Sequence, residues 1–351
     1  MEDSHFEMPH LAPDREDALF GVFDGHGGSA VSKFCAEHFP SVLLADAAFS
    51  NGHVEEGLRR TYLELDEMLR KPSHLPKLRQ YAKASAGGET SGPHPALTTG
   101  CTAVVVHIHG NKLTVANSGD SRAVLCRDGK AVNLTVDHKV TLDSEKSRIS
   151  AAGGVVLDGR VNGNLNLTRA IGDLAYKSDE SLKPEEQVIT ANPDVFLVEL
   201  DPEKDDFVIL ACDGIWEVMS SQEVVDYVSH GLGRIRGASS PMSADSSSSS
   251  QVTTISDMIG NMIDVACSDD VRKTEGHGGD NLSCIVVDLR PRSALSCTAE
   301  TGGEFVLKPS FYKQFEFRSN SSSSGSSDVF SNTDEYESRI EKLDPTSFNQ
   351  A

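Results

Sequence analysis

The stretch ALFGVFDGHGG, residues 18–28, decides how this chain is read. Residues 18–23 read as a buried strand. They run without a polar break into Asp24-Gly25-His26-Gly27-Gly28. Asp-Gly is a common turn dipeptide, so a plain turn is one reading. The other is a metal or phosphate site, because the strand delivers a carboxylate, an imidazole and three glycines to one point.

Asp-Gly occurs four times, at Asp24, Asp128, Asp158 and Asp213. CRDGKA and VLDGRV lead through a basic residue to another short apolar stretch and read as hairpin turns. ALFGVFDG and DFVILACDG instead end long apolar runs and precede helix-like segments. A carboxylate at the end of a buried strand is costly unless something pairs with it, and a divalent cation can neutralise several at once. Asp280 stands just before the apolar run 283–289, Asp120 interrupts two apolar segments, and Glu2 and Asp3 form an acidic pair at the start. Singly, each reads as a turn or cap. Together they offer an all-oxygen donor set suited to Mg²⁺ or Mn²⁺. Two such ions about 3.5–4 Å apart support in-line attack on phosphorus. Gly25 can turn and offer its carbonyl, Gly27 and Gly28 keep the approach open, and His26 is placed to protonate a leaving oxygen.

The rest of the chain supplies a mixed α+β frame. Strands are expected at 19–23, 102–109, 112–117, 123–126, 195–200, 207–212 and 283–289, and helices at 30–44, 54–69, 144–152, 222–230 and 255–267. Gly110-Asn111 and Asp128-Gly129 make part of the sheet antiparallel, and Ser220 with Glu223 forms a capping box. Residues 71–80, basic and Pro-flanked, read as a solvated surface segment. Residues 83–95 and 237–250 read as flexible insertions. The polar, Ser-rich stretch 291–351 reads as a disordered tail behind one domain spanning 1–290.

Composition narrows the function classes. The 351 residues carry a net charge of −21, which argues against a nucleic-acid partner. No apolar run is long enough to span a membrane and no signal-peptide layout opens the chain. The seven cysteines are scattered without a CxxC pair, so an intracellular setting, cytoplasmic or nuclear, is expected. His107 and His109 share zinc-like spacing but lack a third ligand and read as exposed-face histidines. His277, in a second GHGG, reads as loop chemistry leading to Asp280. No P-loop and no HExxH is present.

Seven ordered segments carry a resemblance: MEDSH (1–5), FGVFDGHGG (20–28), TTGCTAVV (98–105), NSGDSRAVL (117–125), RVNGNLNLTRAIGD (160–173), VILACDGIWEVM (208–219) and GGDNLSCIVV (278–287). They resemble the metal-dependent Ser/Thr protein phosphatases of the 2C type, the PPM family, over residues 1–290. The resemblance implies a four-layer αββα sandwich, two antiparallel β-sheets flanked by helices. It also implies phosphorylated protein substrates and a monomer. Phosphoserine and phosphothreonine would be hydrolysed by a metal-activated water without a phosphoenzyme. Asp24 would bridge two Mg²⁺ or Mn²⁺ ions, with Glu2 and the Gly25 carbonyl on one, and Asp213 and Asp280 on the other. Asp120, with Asp213, would hold a third, weaker ion. Asp3 would hold metal waters, His26 would be the general acid, and Arg169 would lie near a flap on the substrate side.

One departure stands out. In that family an arginine that grips the substrate phosphate lies three residues before the Met of the Met-Glu-Asp motif. This chain starts at that Met, so the arginine and the strand-forming segment before it are expected to be missing. A bared sheet edge and weakened substrate binding would result. This keeps open an alternative, a catalytically impaired homologue acting as a phosphoprotein-binding regulatory module. A phosphatase of small phosphate esters is a third reading, with no sugar- or nucleotide-binding signature to support it.

Overall fold

The structure is a computed structural model that describes residues 1–11, 17–85, 94–237, 254–268, 272, 274 and 278–290. Its strands are β1 (Ser4–Met8), β2 (Asp17–Phe23), β3 (Gly25–His26), β4 (Gly100–Cys101), β5 (Ala103–His109), β6 (Lys112–Ser118), β7 (Arg122–Arg127), β8 (Lys130–Asn133), β9 (Val156–Leu157), β10 (Arg160–Val161), β11 (Ile171–Gly172), β12 (Asp194–Glu199), β13 (Asp205–Ala211) and β14 (Cys284–Asp288). The helices are α1 (Ala30–Ala45), α2 (Ala47–Ser50), α3 (Val54–Arg70), α4 (Leu75–Ser85), α5 (Asp143–Ala151), α6 (Asp213–Trp216), α7 (Ser221–Gly237) and α8 (Ile255–Ala266).

Two antiparallel sheets, ordered β1-β2-β5-β6-β12 and β14-β13-β7-β8, form the centre. The period-2 alternation of strand side chains decides what each face meets. Phe20 and Val22 of β2 and Val104 and Val106 of β5 pack with Leu125, Val208, Leu210 and Ile285 between the sheets. Leu19, Phe23, Ala103 and Val105 point the other way, into a core shared with Phe34, Cys35, Leu58, Leu65 and Leu78 of α1, α3 and α4. Beyond the second sheet, α7 and α8 pack closely: the Tyr227 hydroxyl donates to the Met258 carbonyl, and a Cβ on Gly231 would stand 2.1 Å from Met258 Sδ. The four layers are helix, sheet, sheet, helix, as the resemblance implied. Among the described residues no helix is long and apolar enough to cross a membrane.

The four Asp-Gly pairs separate as their flanks suggested. Asp128-Gly129 and Asp158-Gly159 turn β7 into β8 and β9 into β10, with φ of 52°, 72°, 50° and 72°. This is the left-handed pair that a two-residue hairpin requires. Gly25 and Gly214 are glycine for want of room: a Cβ would stand 2.3 Å from the carbonyl oxygens of Glu2 and Asn281 respectively.

Two expectations need correction. Residues 75–85 form α4 rather than a solvated segment, with Leu78 and Ala82 buried. Pro76 sits in its first turn, where proline costs no helical hydrogen bond. His107 is buried, hydrogen-bonded to Asp17 at 2.9 Å and edge-on to Phe49; only His109 is exposed. Strand β1 is the edge strand of the first sheet, and its Phe6 ring is tilted against Phe23 and Phe39 with centroids 5.7 Å away. Of the expected flexible segments, residues 86–93 and 238–250 and the tail 291–351 lie outside the described residues.

Helix α3 braces the first sheet. It buries Leu58, Thr61, Tyr62, Leu65, Asp66 and Leu69 along one stripe, and the Tyr62 hydroxyl donates to the Ala116 carbonyl at 2.8 Å. Leu65→Ala removes a fully buried side chain from this seam, and chemical denaturation should show a loss of about 2–5 kcal/mol. A loss well under that range would mean α3 is not held by this core.

Candidate metal centre

The strand ends bring the carboxylates to one place. Asp24 follows β2, and its carbonyl accepts from Thr102 N–H at 2.8 Å. Asp213 opens α6 directly after β13, and Asp120 lies in the β6–β7 turn. Asp3 precedes β1, and Asp280 stands four residues before β14. Glu2 is tied in at three points: its N–H donates to Asn281 Oδ1 (2.5 Å), its carbonyl accepts from Ser32, and its carboxylate accepts from Gly28 N–H at 2.9 Å.

The electrostatics of this cluster are unfavourable without added positive charge. Burial, and then the charges of Asp213, Asp3 and Asp120, push the Asp24 carboxyl far above the usual carboxylate range. Burial and the neighbouring Asp213 raise Asp120 to about 6. Burial and Glu217 raise Asp213 to about 6. Both Asp3 oxygens are buried without a hydrogen bond of normal geometry, although Ser283, Cys212 and Asp24 are close by. Orphaned buried carboxylate oxygens in an all-oxygen cluster are what a hard divalent cation would satisfy. The residues present therefore fit such an ion. Among the described residues no three His, Cys, Asp or Glu side chains already form a ready ligand set. A cation that keeps several of its waters tolerates that wider spacing.

His26 is held beside this cluster. Its Nε2 lies 2.6 Å from Asp173 Oδ2, and Asp173 is buried in a left-handed conformation at φ 50°. Burial lowers the His26 pKa, but Asp173, then Asp120 and Glu2, outweigh it and raise the net value. Gly100 leaves the space for this pair, since a Cβ there would stand 2.2 Å from Asp173 Oδ2. Behind Asp173, Asp66 of α3 accepts from Gly172 N–H (2.8 Å) and from the buried Lys177 ammonium (2.7 Å). The brace on the first sheet thus also positions the histidine's partner.

The family model described as protein phosphatase 2C matches residues 1–247. The chain belongs to the protein phosphatase 2C family. "Probable protein phosphatase 2C 3" of Paramecium tetraurelia is 42% identical over 290 residues, covering 83% of this chain and 88% of that protein. "Probable protein phosphatase 2C 21" of Arabidopsis thaliana is 37% identical and covers 83% of each chain. A crystal structure of a serine-threonine phosphatase 2C from Toxoplasma gondii shares the fold, with TM-score 0.60, 20% identity, and coverage of 82% of this chain and 90% of that one.

In this protein phosphatase 2C chain, Asp3, Asp24, Asp120, Asp213 and Asp280 feel one another's charge, and Glu2 and Gly25 adjoin them. Arg169 lies among acidic partners. Its guanidinium is spent on Glu145 (2.8 Å), Asp194 (2.7 Å) and the Asn192 carbonyl (3.1 Å). His277 lies outside the described residues. Sequence reasoning missed Asp173, His138, Lys139 and Asn281. Asp173 and Asn281 stand within the seven family-like segments, but their partners are 147 and 279 residues away.

The Arg169 cluster is itself acid-sensitive. Burial alone would raise Glu145, but Arg169, Arg148 and the Thr168 hydroxyl hold its carboxyl at about 2. The stability this contributes is complete above about pH 4.5 and is lost as pH falls towards 2, about 3 kcal/mol in all. Glu145→Gln should therefore be less stable at neutral pH yet show a flatter acid limb in that window. Denaturation midpoints measured against pH check this, and an unchanged limb would contradict it.

Proposed function

We propose that this chain hydrolyses phosphoserine and phosphothreonine in proteins with Mg²⁺ or Mn²⁺, and that the buried aspartate cluster is the metal site. The orphaned Asp3 oxygens beside Asp24 and Asp280 carry this reading. Asp24, Glu2 and the Gly25 carbonyl would hold one ion, and Asp24, Asp213 and Asp280 the second. Asp120 with Asp213 would hold a weaker third, and Asp3 would orient water around them. When bound, such ions neutralise phosphoryl oxygens and lower the pKa of an attacking water.

The protein's own groups do the rest. Asp173 fixes the His26 ring and favours its protonated form, so His26 can donate a proton to the departing seryl or threonyl oxygen. Gly27 and Gly28 follow that ring with φ of 69° and 128°, and a Cβ on Gly27 would stand 2.7 Å from the Thr98 carbonyl oxygen. No side chain is phosphorylated in this reading.

The test is phosphate release from a phosphothreonine peptide. Turnover should require millimolar Mn²⁺, vanish with chelator, and fall at least about 100-fold in Asp213→Asn. Metal-independent turnover would overturn the reading, and phosphopeptide binding without turnover would favour the regulatory module instead.

His26→Ala gives a separate check. It should slow the peptide reaction by roughly 10²–10⁴-fold. The loss should be smaller on p-nitrophenyl phosphate, whose leaving group needs no proton. An equal loss on both would remove His26 from the proton-donor role.

A further inference from the structure

The segment Asp137-His138-Lys139 lies beside the Asp120 turn, and each residue grips a different element. Asp137 accepts from Arg122 Nε and Nη2 at 3.1 and 2.8 Å. His138 accepts Gly119 N–H on Nδ1 at 3.1 Å and pairs Nε2 with Asp194 at 3.1 Å. Its main-chain N–H donates to the Gly119 carbonyl at 3.0 Å. With both neighbours pinned, the main chain at Lys139 has little freedom. Its side chain has more, being 36% exposed, whereas the Asp120 side chain is 2% exposed.

The Lys139 ammonium stands 3.3 Å from Asp120 Oδ2. That is an ion pair without a hydrogen bond of normal geometry, and among the described residues Oδ2 has no hydrogen-bond partner. Asp213 and Asp137 also act on the ammonium. Lys139 is therefore the positive charge that the buried Asp120 meets, and it sits on the oxygen a cation would need. A dication on that oxygen and an ammonium against it repel each other strongly at this range.

We propose that Lys139 is a tethered counter-ion that competes with the weaker divalent cation for Asp120, so that Lys139 sets the affinity of that site. This rests on the metal-site reading of Asp120 given above. Binding a cation there requires the lysine to swing towards solvent, and its partial exposure gives it the route. With little metal present, the ammonium keeps the buried carboxylate compensated. As metal rises, displacement of the ammonium makes occupancy of this site respond to a higher concentration range than the others.

The experiment is Mn²⁺ binding to the full chain, followed by calorimetry and by the electron paramagnetic resonance signal of free Mn²⁺. Lys139→Gln should tighten the weakest binding event roughly tenfold or more and leave the tighter ones in place. Lys139→Arg, which keeps the charge, should behave like the parent. Asp120→Asn should remove the weakest event, and Lys139→Gln added to it should then change nothing. In thermal unfolding, metal-free Lys139→Gln should melt lower than the parent and gain more from Mn²⁺. A weakest constant that is unchanged or weakened in Lys139→Gln would overturn this inference alone. No Mn²⁺ binding by the parent chain would overturn the metal-site reading with it.

Discussion

Burying the carboxyls of Asp3, Asp120 and Asp213, with Asp24 partly buried among them, at the ends of strands is expensive unless positive charge offsets it. Much of the surrounding architecture can be understood from that constraint. The inter-sheet core ends where the aspartates begin: Val22 of β2 and Leu210 of β13 are packed inside, and two or three residues later each strand delivers a carboxyl. The rigid sheets fix these groups at close range, where mutual repulsion would otherwise drive them apart. Lys139 is the cation the fold itself supplies to Asp120, and the orphaned Asp3 oxygens mark where more positive charge is wanted.

Around this centre the polar groups are tied in chains rather than left singly. Asp66, on the helix that braces the first sheet, holds Gly172 N–H and Lys177, and so places Asp173 against His26. On the other side Glu145, Arg169, Asp194 and His138 run in sequence to Gly119, next to Asp120. Each member is hydrogen-bonded to the next, so these chains fix geometry in addition to balancing charge. Arg169 belongs to this second chain, its guanidinium held by Glu145, Asp194 and the Asn192 carbonyl.

The main elements are legible in the sequence because their patterns are local. Alternating Leu19, Phe20, Val22 and Phe23 mark a strand, and the α3 stripe marks a helix. The four Asp-Gly pairs can be sorted by the residues on their C-terminal side. Helix α4 is harder, because two buried residues, Leu78 and Ala82, sit among lysines, arginines and a proline, and only packing against α1 shows which face is apolar. His107 is misread for a related reason: strand periodicity says which residues share a face but not that this face meets Phe49 and Asp17.

By itself the sequence determined the kind of strands, the turns, the family and which aspartates stand at the strand ends, since all of these are written in short contiguous segments. Only the tertiary structure decided the partners. Asp173 meets His26, Asn281 meets Glu2, Lys139 meets Asp120, and Arg169 turns towards Glu145 and Asp194. The physical reason is range. Propensity and periodicity act over a few residues, whereas the pairing of buried charges is settled by which strand ends the folded sheets bring together.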